Sequence, residues 1–533
     1  MRKTLIFIFS VMVIASLVMI GCGPETPTTP TTPTTPTTPA VDKYGGEFRV
    51  GDFRSITNLG FPQKMTAGYA QRMAQPATET LLHIDSAGKV VPWLAESWEV
   101  DPTARTIVLH LQEGIKFHDG TDFNAEAVKW NIDLAVELKQ SGYKLVESVD
   151  VIDNYTVRIT LTKWDNTLLD MLAFSYIGQQ MSPTAYNTNG EDWCINHPVG
   201  TGAFTFVSWE KDVKISFKKF DNYWQEGKPY VDEMNTYIIT DRTVGLLNFK
   251  KGNTDVIMDP LTQDIPDLIK EGYAVQILPY GAFSSPRGSW IFDSADPNSP
   301  FYDVRVRQAT QYAINGDEIN QAVFAGYGLS NLQWMGTDSW AYNPDVVGYP
   351  YNPDKAKQLL TEAGYPNGFS TKITLRSDQE GEQIAQAVAG FLAAVGIKAE
   401  INALSGTETT AIWRGGGAWD GLVQAFPPPN PDVAAGLNDR YGGLDKYYVE
   451  MLIPDDYRAA IDNAIQAPTF EGKQKFTQEA IKLMTDKYCL YALTARTPNQ
   501  NATQPWAHDH GYFAIASTSQ WTPEDAWLDK DHR

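Results

Sequence analysis

Apolar positions recur along this chain with two periods, and the switches between them lay out mixed α and β segments. From Arg105 to Leu111, Ile107, Leu109 and Leu111 alternate with polar residues, the period of a half-buried strand. Val149-Asp150-Val151, an Asp153-Asn154 turn, and Val157, Ile159 and Leu161 predict a β-hairpin. Between these strands Val128, Ile132 and Ala135 fall at helical spacing behind Asn124, a capping residue, with Glu126 in the first turn. Asn352-Pro353-Asp354 predicts a second helix start: a cap, a proline at the first helical position and an acid against the dipole. Ala356, Leu359, Leu360 and Ala363 form its apolar face, and Gly364 with Pro366 ends it. Ile384, Val388, Phe391 and Val395 mark a helix closed by Gly396, after which Ile397, Ala399 and Ile401 alternate as a strand. In 302–315, Val304, Ala309, Tyr312 and Ala313 share one helical face, which leaves Arg305, Arg307 and Gln311 expected in water.

The amino terminus reads differently. Arg2 and Lys3 precede an almost unbroken apolar run from Leu5 to Ile20, and Met19-Ile20-Gly21-Cys22 closes it with small residues before a cysteine. That is the pattern of a secretory signal over 1–21, too short and wrongly flanked for a membrane span. The closing residues resemble a bacterial lipobox, which implies cleavage before Cys22 and a diacylglyceryl anchor on it. Residues 26–39 then repeat Thr-Thr-Pro, with nothing apolar to bury and a missing N–H at every third position. Polyproline II is its natural state, a stiff tether of about 40–50 Å at ~3.1 Å per residue.

The chain carries a formal charge of −21, which becomes −23 once Arg2 and Lys3 leave with the signal. So acidic a surface argues against nucleic acid as a partner. Of three cysteines, Cys22 is assigned to lipidation; Cys194 and Cys489 are too far apart in sequence to decide between a bridge and two thiols. No Cys/His spacing suits a metal, and no cofactor is expected.

His118-Asp119-Gly120 invites a catalytic dyad, but neighbouring residues in an extended chain point apart, and Asp-Gly is ordinary turn chemistry. Gly200-Thr201-Gly202 lacks the Gly-Lys-Ser/Thr that a phosphate loop needs, and reads as a tight turn. There is no Gly-x-Ser-x-Gly elbow. The sequence supplies no catalytic constellation.

Several segments together resemble one family. Pro300-Phe301 with 302–315 is similar to its "PF-x-D-x-x-V-R-x-A-x-x-Y-A-I" stretch. Leu94-Ala95-Glu96-Ser97-Trp98-Glu99, Ile115-Lys116-Phe117-His118-Asp119-Gly120, Val199-Gly200-Thr201-Gly202-Ala203-Phe204, Asn222-Tyr223-Trp224 and Tyr351-Asn352-Pro353-Asp354-Lys355-Ala356 resemble five further landmarks in the right order. The family is the extracellular solute-binding proteins, family 5, of peptide-type ABC importers. The resemblance implies a mixed α/β, two-lobed, periplasmic-binding-protein-like fold of type II with an extra subdomain in the first lobe. After the 22–42 tether it places lobe I at 43–285, with the insertion at about 75–195, lobe II at 286–490, and a return to lobe I over 491–533. The chain would cross between lobes near 281–290 and 490–497, with ligand in the cleft between them.

The resemblance also implies a binding protein and no enzyme. A peptide or peptide-like solute would be handed to a membrane permease and its ATPase by a monomer anchored outside the cytoplasm, periplasmic or cell-surface, through Cys22. An oligosaccharide cargo remains an alternative, since 12% aromatic residues with 15 Trp suit sugar stacking as well; a secreted hydrolase is the alternative of another class. Segment 413–432 corresponds to the family's cleft-lining stretch, which puts Trp413, Arg414, Trp419, Gln424, Phe426, Asn430 and Asp432 forward as ligand-binding residues. Where peptide-binding members carry an Asp for the ligand's α-ammonium, this chain has Pro429, and Phe426 takes a Trp position. Either the cargo lacks a free amino terminus, the preferred reading, or Asp432 or another acid reaches it.

Overall fold

A computed structural model describes residues 42–533 apart from 66–67, 87, 278–287, 338, 414–418, 426–431, 444–446, 497–498 and 513–519. Cys22 and the signal and tether segments lie outside the described residues.

Two mixed sheets organise the chain. The first orders its seven strands Ala274–Ile277, Gln500–Thr503, Val256–Met258, Glu47–Asp52, Glu233–Ile238, Lys214–Lys219 and Phe204–Glu210. The second orders five: Ile397–Leu404, Phe369–Arg376, Leu422–Gln424, Ser289–Phe292 and Tyr491–Leu493. The short central strand Ser289–Phe292 is buried throughout because it has a core on each side. Ile291 and Val423 pack into one core, Trp290, Phe292 and Leu422 into the other. A separate four-stranded sheet, Ala95–Asp101, Thr106–Leu111, Thr156–Leu161 and Val146–Asp153, is the inserted subdomain, with its own core. The expected strand at Ile107–Leu111 and the hairpin on its flank are both here.

Strand directions decide where the lobes meet. In the first sheet Glu47–Asp52 runs parallel to Glu233–Ile238 and Val256–Met258, and antiparallel Gln500–Thr503 begins where these end. In the second, Phe369–Arg376 is parallel to Ile397–Leu404 and Leu422–Gln424, and their carboxyl ends share an edge with Ser289 and Leu493. The chain passes from one edge to the other between Ile277 and Ser289, and back between Leu493 and Gln500. These two edges are the rims of the inter-lobe space.

Local signals hold where they are local. Asn124 accepts from Ala127 N at 3.0 Å and starts Ala125–Glu137, and Asn352 caps Pro353–Glu362 with Gly364 beyond it at φ 94°. One expectation is overturned: Arg307 and Gln311 of the Val304–Ala313 helix are not in water but buried. The Arg307 guanidinium donates to the carbonyls of Tyr488, Cys489, Phe301 and Tyr302. Gln311 exchanges two hydrogen bonds with the backbone of Leu493. A long polar side chain can leave the polar face of its helix when backbone groups from a distant segment meet it. Arg305, which pairs with Asp303, is the exposed one.

Candidate functional site

The rim of the first lobe is built from strand ends. Glu47–Asp52 delivers Asp52, Phe53 and Arg54, and Val256–Met258 delivers Asp259, held at φ 48° with its N–H on Gln500 O at 2.8 Å. Asp52 accepts from Arg54 N at 3.1 Å and pairs with the guanidinium of Arg72, and Arg54 Nη2 reaches Asp259 Oδ2 at 2.5 Å. The Arg54 guanidinium also lies over the Phe53 ring, 4.2 Å from its centroid. Burial pushes the Asp259 carboxyl up, but Arg54 and Arg72 outweigh it and hold the group below the usual carboxylate range. A recess of about 260 Å³, its open mouth included, is lined here by Asp52, Phe53, Arg242, Met258, Asp259 and Pro260.

Of the residues expected to bind ligand, Gln424, Trp413 and Trp419 lie in or beside a strand of the second sheet. Gln424 ends its strand fully buried; its Oε1 accepts from Arg376 N at 3.1 Å, while its Nε2 has no partner. Trp413 is buried and donates Nε1 to Gln424 O at 2.5 Å. Trp419 is buried edge-on to Tyr448, its own Nε1 without an acceptor. Both indoles belong to the second lobe's core. Arg414, Phe426 and Asn430 lie outside the described residues.

Asp432 is 1% exposed and neither faces solvent nor stands open to a ligand. Its Oδ1 caps the short helix Val433–Gly436 through Ala435 N at 3.0 Å, and its Oδ2 lies 2.9 Å from Lys473 Nζ. The same ammonium reaches Asp170 Oδ2 at 2.6 Å, on a helix of the inserted subdomain. Burial and the neighbouring Asp432 charge push the Asp170 carboxyl up; burial alone would lower Lys473, but the two acids raise it. Beside this contact Asn166 donates to the carbonyls of Ile465, Ala464 and Ala467 at 2.8–3.0 Å, meeting orphan acceptors at the end of Asp455–Gln466. Lobe I therefore touches lobe II through charge and caps at a point remote in sequence from both crossings.

The sequence gives no signal for Lys473, which lies in the first turn of its helix Phe470–Lys482 among polar residues, nor for Arg496, a lone cation after Tyr491–Leu493. The His118-Asp119 pair does not form a dyad. His118 is partly buried with Nε2 2.8 Å from Gly202 O, and desolvation lowers its pKa to about 4. Asp119 turns away to Thr121 and Ser182. A Cβ at Gly200 would stand 2.3 Å from Ala77 O, so the glycine permits a close backbone approach and frames no phosphate loop. Cys194 and Cys489 are both buried free thiols. Among the described residues no cluster of three or more His, Cys, Asp or Glu is placed to hold a metal ion, and no helix is long and apolar enough to cross a membrane.

Known proteins agree with this architecture. The glutathione-binding protein GsiB of Shigella flexneri is 32% identical over 364 residues, 67% of this chain and 69% of its own. Heme-binding protein A of Haemophilus influenzae is 31% identical over 58% of this chain and 61% of its own. Among solved structures, DppA from Helicobacter pylori in complex with the peptide STSA superposes with a TM-score of 0.74 at 21% identity, covering 92% of this chain and 99% of that one. HbpA2 from Haemophilus parasuis gives 0.78 at 20%, covering 91% and 100%. Residues 89–447 match the family described as bacterial extracellular solute-binding proteins, family 5 middle. This chain belongs to that family, with its two-lobed fold.

Proposed function

We propose that the protein captures a peptide or peptide-like solute between its lobes and delivers it to an ABC permease, without catalysing a reaction. The observation carrying this reading is the pair of strand-end rims joined by two crossings, with polar groups on both. A relative named for glutathione and a neighbour solved with a peptide support the same class of cargo, while another relative is named for heme. In this reading 1–21 is a cleaved signal, Cys22 carries the lipid, 22–42 is the tether, and the lobes divide near 285 and, a little beyond the expected 490, between Leu493 and Gln500. Metabolic labelling with a lipid precursor checks the anchor: Cys22→Ala should abolish the label.

Lys473 already occupies Asp432, which supports a cargo with a blocked amino terminus. An N-acetylated peptide should then bind as well as its free twin; a ~100-fold loss on acetylation, about 2.7 kcal/mol, would show an acid receiving the ammonium. Mass spectrometry of the solute that copurifies under native conditions tests the whole reading. A peptide retained one-to-one supports it, a neutral oligosaccharide would replace the cargo class, and turnover of a supplied substrate would replace a binder by a hydrolase. Adding back the identified solute should lower the radius of gyration in solution scattering, as hinge closure requires.

A further inference from the structure

Two arginines of the second lobe are each 1% exposed, and they are served in opposite ways. Arg307 makes five hydrogen bonds to four carbonyls, a saturated structural role. Arg496 has one acceptor, Asn331 Oδ1 at 3.1 Å from Nη2; its Nε has none, and among the described residues no carboxylate faces it. A guanidinium offers five N–H donors, and burying it so poorly met is unfavourable unless something else arrives. The residue is nonetheless held firmly. Its backbone exchanges hydrogen bonds with Leu329 at 2.9 and 3.0 Å, fixing it three residues past Leu493, where the chain leaves the second rim for the first.

The surroundings lack acceptors in the same sense. Tyr491, close enough to influence the Arg496 charge, stacks on Trp334 at 4.3 Å and 8°. Trp334 in turn begins an aromatic wall that runs through Tyr441 and Tyr448 to Trp419. Among the described residues the indole N–H groups of Trp334 and Trp419 and the Gln424 amide N–H₂ are buried without acceptors, and the Tyr441 hydroxyl without a partner. Each of these groups can donate, and only the hydroxyl can also accept. Planar, bidentate donation is what an arginine offers a carboxylate in particular.

We propose that Arg496 receives a carboxylate of the captured solute. This rests on the solute-capture reading but not on the solute being a peptide. The test presents the full-length protein with a random tripeptide library, the same library with every carboxyl methyl-esterified, and uronic-acid and neutral oligosaccharides, and counts retained species by native mass spectrometry. The free-acid peptides should be retained at least 30-fold over their esters. Arg496→Met should bring the acids down to the ester level with an unlowered melting temperature, and Arg496→Lys should restore part of the difference. Retention of uronic acids alone, lost in Arg496→Met, would uphold the arginine's role while overturning the peptide reading. Equal retention of esters and acids, preference for neutral sugars, or no retention in any arm would overturn the proposal. Should Arg496→Met fail to fold, the acid-against-ester comparison in the unaltered protein decides alone.

Discussion

The two rims are made the same way and finished differently. On the first, Asp52, Arg54, Arg72 and Asp259 neutralise one another before any solute arrives. On the second, Arg496, Gln424, Trp334 and Trp419 present donors that the fold leaves unmet. The difference separates two uses of buried polarity. A closed ion network fixes the positions of strand ends, whereas open donors create a demand that a ligand can satisfy. Stability and affinity should therefore respond to substitutions on opposite rims.

The largest effect is expected on the first rim. Asp52→Ala removes the carboxylate paired with the buried Arg72 and should lower unfolding free energy by about 3–5 kcal/mol, read by urea titration. A loss below about 1 kcal/mol would show that the network is not what holds that rim. On the second rim the sign should reverse. Arg496→Met removes a poorly met buried charge and should leave stability unchanged or raise it by up to about 1–3 kcal/mol in the same titration. A loss as large as that of Asp52→Ala would erase the contrast.

The smallest effect concerns pH. Because the folded Asp259 carboxyl titrates below its ordinary value, it contributes stability that is present above the unfolded pKa of ~3.9 and lost as pH falls through the folded one. Asp259→Asn should accordingly flatten the acid limb of a melting-temperature profile below about pH 4. An unchanged acid limb would place the sensitivity elsewhere.

The sequence disclosed what neighbouring residues decide. Asn124, Asn352-Pro353 and the alternation from Ile107 to Leu111 act through their own turn or strand, and the structure keeps each. Periodicity failed at Arg307 and Gln311, because three of the five Arg307 hydrogen bonds and both of the Gln311 ones go to Tyr488 to Leu493, some 180 residues later. Of the family stretch 413–432, Gln424 ends a strand of the second sheet, whereas its most suggestive acid, Asp432, is bound to a lysine that no local pattern connects with it. Arg496 was illegible for the same reason in reverse. Its meaning lies in partners it lacks, and a sequence does not record an absence.

The Lys473 contact bears on timing more than on fit. For the lobes to part in the proposed hinge motion, Asp170 must leave an ammonium that retains Asp432, and water must enter before either separated charge is stable. Such a step resists departure without adding an interaction to the cargo, so its weight falls on residence time, the rate at which a loaded cleft lets go. Because the three groups are almost wholly enclosed, added salt should screen that resistance little. A solute-binding protein gains from this, since its cargo has to outlast the search for a permease.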